Sequence, residues 1–226
     1  MRPLPERLLA EGLGTALLLA TVVGSGIMAT RLSDGNDGLA LLANAAATAG
    51  VLYALIAVLG PTSGAHFNPA VSVVARLRGE MGTRDLLAFV GVQVAAAIAG
   101  VLLAQAMFAE PLWQPGTHAR TGAAQWLSEG VATFGLVLVI RLGVRHRAAQ
   151  VPALVAAYIF AAYWFTASTS FANPAVTLAR SLTQSFAGIR PEDVAGFVVA
   201  QFAGALLGLW IAGRLGDRDT RPEPAR

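Results

Sequence analysis

The chain of 226 residues has no cysteine and no lysine, and only 13% of it is charged. The missing cysteine excludes disulfide scaffolds, thiolate metal sites and a cysteine nucleophile. It also leaves no thiol for a mercurial to attack. There are three histidines, His66, His118 and His146, and they lie in separate segments, which argues against a histidine metal cluster. A soluble domain is about 25% charged, so the low charge argues against a soluble globule. A hydrophobic content of 55% excludes intrinsic disorder. The formal charge of +3 invites a nucleic-acid reading. All sixteen basic residues are Arg, however, and most sit between long apolar runs, as membrane topology rather than nucleic acid demands. No nucleophile, base and orienter stand together, and no metal-ligand spacing appears. The sequence therefore predicts no enzyme, no metal and no cofactor.

What the chain has instead is apolar length. Six stretches approach the roughly 20 residues that span a bilayer as helix: 8–29, 39–59, 86–109, 123–140, 151–167 and 194–212. Six spans put both termini on one side of the lipid bilayer. If that side is cytoplasmic, twelve arginines lie inside and four (Arg31, Arg120, Arg180, Arg190) lie outside, which fixes the expected orientation. Trp113, Trp126 and Trp164 then fall near outer span ends and Trp210 near an inner one, as interfacial belts require. The charged, proline-containing end at 216–226 reads as a disordered cytoplasmic tail.

The two halves of the chain repeat each other. Glu11-Gly12-Leu13-Gly14-Thr15 answers Glu129-Gly130-Val131-Ala132-Thr133, Asn68-Pro69-Ala70-Val71 answers Asn173-Pro174-Ala175-Val176, and Gln93-Val94-Ala95-Ala96-Ala97 answers Gln201-Phe202-Ala203-Gly204-Ala205. The order is kept, at offsets of 118, 105 and 108 residues. Each repeat, 1–109 and 110–215, holds three spans, so the second runs inverted through the membrane. Inverted repeats recur in transport proteins, with the pathway at their interface.

The connections after the second and fifth spans are both 26 residues long, and each carries Asn-Pro-Ala before a short apolar run, 71–77 and 176–182. Asn is a favoured N-cap and Pro suits the first helical position, so Asn68 and Asn173 should each head a half-helix too short to span. Non-helical backbone at membrane depth is tolerated only where protein buries it or a wet cavity borders it. Inversion brings the two N-termini together near the midplane, each with a partial positive charge. Such a pair repels cations, while the Asn amides are left to donate into the lumen. The arrangement predicted is an all-α membrane protein, with six transmembrane helices and two re-entrant half-helices in a three-plus-three inverted repeat, enclosing a pore for small neutral solutes.

With these motifs the sequence resembles the aquaporin and aquaglyceroporin family of major intrinsic proteins. The resemblance covers all six spans, both Asn-Pro-Ala loops, the Glu-Gly-x-x-Thr openings and the run from Ser63 to Val71. It implies a six-helix bundle with one pore per chain, and a homotetramer. Glu11 and Glu129 are the only carboxyl groups within the six spans. An intramembrane carboxyl group is a functional site by default, and proton coupling would make the protein an active transporter. The resemblance implies instead that the two acids accept hydrogen bonds from loop backbone and brace the re-entrant segments. His66, just before the first Asn, is read as a packing residue rather than a pH sensor.

In the resembled family a narrower constriction lies beyond the Asn pair. One residue of the second span, one of the fifth and two of the second loop form it. Counted without gaps from the motifs, these are Thr48, Ala161, Ser170 and Val176. Family members usually carry Arg at the last of these, and Val176 stands there instead. Arg180 lies one helical turn farther along and is not expected to substitute. The resemblance thus implies a filter that is atypically wide and less polar, passing glycerol-sized solutes, urea or neutral metalloid hydroxides such as arsenous acid (arsenite). The expectation is a passive channel for water and small uncharged solutes. The short chain and all-Arg basic set point to a bacterial cytoplasmic membrane. The rivals are a proton-coupled secondary transporter using Glu11 and Glu129, and a membrane scaffold with a closed pore.

Overall fold

In a computed structural model the chain is described over residues 2–216. Six long helices form: α1 (Leu4–Leu32), α2 (Asp37–Ser63), α4 (Thr83–Met107), α5 (Ala123–His146), α6 (Val151–Phe165) and α8 (Val194–Arg214). Two short ones, α3 (Pro69–Leu77) and α7 (Pro174–Arg180), follow the two Asn-Pro-Ala starts. All six long elements are apolar enough to cross a membrane, α6 with its leading 3-10 turn Ala148–Gln150 and α8 with the turn Pro191–Asp193. The expected tail at 216–226 lies outside the described residues save for Gly216.

Several helices run past the apolar stretches, by up to six residues. α1 begins at Leu4 and α5 continues to His146, because backbone hydrogen bonding carries a helix on through polar residues that reach the interface. The second half-helix is shorter than its apolar run. Ser181 caps it, leaving Leu182 outside.

Three ion pairs record which ends lie together. Arg7 of α1 meets Asp85 of α4 at 2.7 Å, and Arg141 of α5 meets Glu80, which follows α3, at 2.8 Å. Arg31 at the other end of α1 meets Glu110 at 2.9 Å. Leu4, Asp85 and Arg141 thus share one end of the bundle, and α8, running alongside α5 with Gly196 against Trp126 and Gly208 against Phe134, brings Arg214 to it as well; this is here the terminal end, and Arg31 marks the far end.

Glycine permits close approach at two equivalent places. A Cβ on Gly100 of α4 would fall on the Ala16 carbonyl oxygen of α1, and one on Gly208 of α8 would fall on that of Phe134 in α5. Small residues at such crossings let membrane helices pack backbone to backbone, where dispersion replaces the hydrophobic drive that lipid cannot supply. The outward faces carry Leu9, Leu13, Val199 and Leu206, all exposed, as a lipid-facing surface requires. Trp113, Trp126, Trp164 and Trp210 are exposed as well, each close to a helix end.

Candidate functional site

Each half-helix is started by its own asparagine. Asn68 Oδ1 accepts from the Ala70 N–H at 2.9 Å, and Asn173 Oδ1 accepts from Ala175 at 3.0 Å and Val176 at 3.3 Å. Proline at the first helical position gives up no hydrogen bond there. From Asn68, α3 runs toward the terminal end, where Arg76 bonds Thr83. From Asn173, α7 runs toward the far end, where the Ser181 carbonyl receives the Gly116 N–H. Their N-termini meet. Asn68 Nδ2 donates to the Ala172 carbonyl at 2.8 Å, and Asn173 Nδ2 donates to the Phe67 carbonyl at 2.7 Å. The sequence leads one to expect amides left to donate into the lumen; instead each spends one N–H within the protein. One N–H of each ties the repeats together, because both approach segments end beside the opposite asparagine.

A cavity of about 330 Å³ passes both asparagines. At the far end it is bordered by Thr48, Tyr163, Ser170, Val176 and Arg180, and at the terminal end by His66, Glu80, Arg141 and Val151. Leu18, Val22, Leu52, Val71, Leu136 and Val155 make much of the remaining wall apolar. The polar wall comes from the approach segments. Gly64, Ala65 and Phe67 in the first, and Thr169, Ser170 and Ala172 in the second, all have φ between 48° and 91°, at matched offsets of 105 residues. For a residue with a Cβ this left-handed backbone costs about 1–2 kcal/mol. The carbonyls of Gly64, Ala65, His66, Ser170 and Phe171 receive no hydrogen bond among the described residues. These five residues line the cavity.

The strained segments are tied down by the two buried acids. Glu11 Oε1 accepts from Ser63 Oγ at 2.7 Å and the His66 N–H at 2.9 Å. Its Oε2 accepts from the Phe67 N–H at 2.7 Å and Gln93 Nε2 at 2.8 Å. Glu129 repeats the set with Ser168 Oγ at 2.6 Å, the Phe171 and Ala172 N–H groups at 2.8 and 2.9 Å, and Gln201 Nε2 at 2.6 Å. Each glutamine also donates to a half-helix hydroxyl, Gln93 to Ser72 and Gln201 to Thr177. Neither acid lines the cavity. His66 packs edge-on against Phe89, with Nδ1 3.0 Å from Ser72 Oγ, and is among the residues that line the cavity.

Of the four expected constriction residues, Thr48, Ser170 and Val176 border the cavity and Ala161 does not. Ala161 is exposed on the outside of α6. Tyr163 faces inward instead, and its hydroxyl lies 3.2 Å from Thr48 Oγ1. The reason is helical geometry: two residues turn about 200° around a helix, so a count wrong by two lands on the opposite face. Arg180, set aside on sequence, borders the same cavity and is almost wholly buried. Its Nε donates to the Ala187 carbonyl, and its guanidinium lies over the Phe171 ring, 3.3 Å from the centroid.

The far-end loops are fastened by Arg120, which donates to the carbonyls of Gly188 at 2.9 Å and Ser168 at 3.1 Å. Burial pushes its guanidinium down to about 10, so it stays charged at neutral pH. Ser63, Ser168, Gln93 and Gln201 were visible in the sequence only as repeated letters. Their offsets of 105 and 108 residues match the motifs they support. Among the described residues no group of His, Asp and Glu is arranged to hold a metal.

Comparison with known proteins agrees with this geometry. A sequence profile of the family described as Major intrinsic protein matches residues 3–164. The chain is 56% identical over 228 residues to Aquaglyceroporin AqpS of Rhizobium meliloti (strain 1021), covering 98% of this chain and 97% of that one. It is 28% identical to Aquaporin NIP1-4 of Oryza sativa subsp. japonica, over 91% of this chain and 75% of that one. In fold it is similar to the X-ray structure of the aquaglyceroporin from Plasmodium falciparum, with a TM-score of 0.72 and 16% identity over 97% of this chain and 98% of that one.

Proposed function

The chain belongs to the major intrinsic protein family of membrane channels, and from that premise we propose a passive, bidirectional channel for water and small uncharged solutes, with glycerol-sized molecules and neutral metalloid hydroxides such as arsenite as its wider cargo. It is a multi-pass membrane protein and not an enzyme. The observation that carries the reading is the meeting of two half-helix N-termini, at Asn68 and Asn173, on the wall of one cavity. A neutral solute moving there exchanges water for unpartnered carbonyls on one wall while its carbon or metalloid face meets the apolar wall. Cations meet the positive ends of two helices.

The proposed constriction is Thr48, Tyr163, Ser170 and Val176. Its width follows from Val at 176, where relatives in the resembled family usually carry Arg. The 56% identity to a protein named as an aquaglyceroporin supports a solute larger than water. In this reading Glu11 and Glu129 are braces. Each receives four hydrogen bonds and stands off the cavity, which supports bracing over proton coupling. We further propose two inverted repeats, 1–109 and 110–215, a homotetramer, and a bacterial cell membrane with both termini cytoplasmic.

The test is swelling of proteoliposomes in gradients of water, glycerol, urea and arsenous acid. A channel gives rates linear in solute concentration and indifferent to a proton gradient. Saturation with proton dependence would establish the secondary transporter instead, and no flux above empty vesicles would leave a scaffold.

A further inference from the structure

The charge missing at position 176 reappears four residues later. Arg180 closes α7, is 2% exposed, and borders the cavity together with Thr48, Tyr163, Ser170 and Val176. Helical side chains lean toward the N-terminus of their helix, so a residue covers the surface over the turn before its own Cα. For Arg180 that turn is the one that begins at Val176. The lean is visible in its contact with Phe171, which precedes α7 in the approach segment.

The guanidinium is fixed by one edge only. Nε is held by the Ala187 carbonyl and the guanidinium carbon lies over the Phe171 ring. The terminal amino groups donate to nothing among the described residues, and no carboxylate pairs with Arg180 there. A second polar group in the same wall is also unengaged. Ser170 Oγ is buried and has no hydrogen-bond partner. A buried polar group without a partner calls for one, and at these two residues the cavity is where it can come from. Buried fixed charge without a counter-ion is strongly felt by a passing ion.

We propose that Arg180 is the charge-selecting residue of this channel, reaching back from one turn beyond Val176 so that its free amino groups and Ser170 Oγ supply donors at the constriction formed with Thr48 and Tyr163. The residue that rejects cations is thereby separated from the residue that sets the width. Val176 leaves room for a glycerol-sized solute, and Arg180 keeps the room positive. Solutes recognised here are neutral molecules that carry several acceptor oxygens. The inference rests on the channel reading given above.

The experiment reconstitutes wild type, Arg180→Leu, Arg180→Gln, Arg180→Lys and Val176→Leu in proteoliposomes at matched protein content. Glycerol flux is read by light scattering, and proton and potassium leak by an internal pH dye with valinomycin. The expected result is a proton or potassium leak about tenfold or more above wild type in Arg180→Leu and Arg180→Gln, return toward the wild-type leak in Arg180→Lys, and no added leak in Val176→Leu. Arg180→Gln retains an amide donor for Ala187 and carries the comparison if Arg180→Leu does not assemble. Cation leak equal to wild type in an Arg180 variant that still passes glycerol overturns the assignment and leaves the channel reading intact. Wild-type vesicles that pass neither water nor glycerol overturn the channel reading, and this inference with it.

Discussion

Asn68 and Asn173 each donate a side-chain hydrogen bond to the backbone carbonyl that precedes the other, at 2.8 and 2.7 Å. The exchange joins the two half-helices head to head and ties the tip of one repeat to the tip of the other. Each asparagine is thereby used at both ends, its oxygen on its own helix and one N–H across the junction.

That double use sets the first prediction. Asn68→Asp and Asn173→Asp keep the N-cap but turn a carboxylate oxygen toward a carbonyl oxygen. The lost bond and the new repulsion distort the junction and place negative charge between two positive helix ends. Water and glycerol permeability, read by stopped-flow at matched protein content, should fall about tenfold, the equivalent of losing one buried hydrogen bond. Unchanged rates in both variants would remove the asparagines from the pathway.

Glu129→Gln tests the bracing role. Four donors converge on the Glu129 carboxyl group, and an amide can accept on one atom only. At least one donor is left facing an N–H, at a cost of about 1–3 kcal/mol. Ala172, whose N–H is among those donors, is held at φ 49°, so the released segment relaxes away from the pore. The variant should melt several degrees below wild type and pass less glycerol per folded molecule, with no change in response to a proton gradient. A variant that melts like wild type and loses only a proton-driven flux would establish coupling instead.

The features that sequence made legible are those with a repeated local cause. Span positions follow from apolar run length, and the half-helix starts at Asn68 and Asn173 follow from N-cap chemistry with proline behind it. Glu11 and Glu129 stood out because a carboxyl group in an apolar run needs partners. The misplaced residue, Ala161, shows the opposite case. Its position depended on counting along a loop, and helix faces change within two residues. That Arg180 also borders the cavity is not legible in the sequence for a different reason. Sequence spacing gives the height of a Cα, whereas its side chain returns over the preceding turn. The crossed bonds between Asn68 and Ala172 and between Asn173 and Phe67 join residues more than 100 positions apart, and no local signal announces them.

The exchange of Ala161 for Tyr163 can be tested directly. Tyr163→Ala removes a ring from the cavity wall and the hydroxyl 3.2 Å from Thr48. It should raise the permeability of polyols larger than glycerol relative to water, and open the wall that meets Val176. Ala161→Leu adds bulk on the exposed outer side of α6, away from the cavity, and should leave the same ratio unaltered. Measured across glycerol, erythritol and xylitol, the reverse ranking of the two variants would return the constriction to Ala161.

The final prediction concerns Val176. Its side chain is buried, borders the cavity and stands four residues before Arg180 on α7. Val176→Arg places a second long guanidinium on the same face of a seven-residue helix. Like charges at this spacing repel, so the new side chain is driven away from Arg180, and the space left to it is the lumen. The aperture shrinks while Thr48, Ser170 and the apolar wall stay as they are, so a water molecule still fits where a glycerol-sized one does not. Glycerol and arsenous acid permeability should fall about fivefold or more relative to water, which is roughly 1 kcal/mol of added barrier for the larger solute alone. Water and solute fluxes of both proteins, measured in the same vesicle preparations, give the ratio. A ratio that does not fall means the width is set elsewhere, with Tyr163 and Arg180 the residues left to set it, and in that case Val176→Arg combined with Tyr163→Ala should behave like Tyr163→Ala alone.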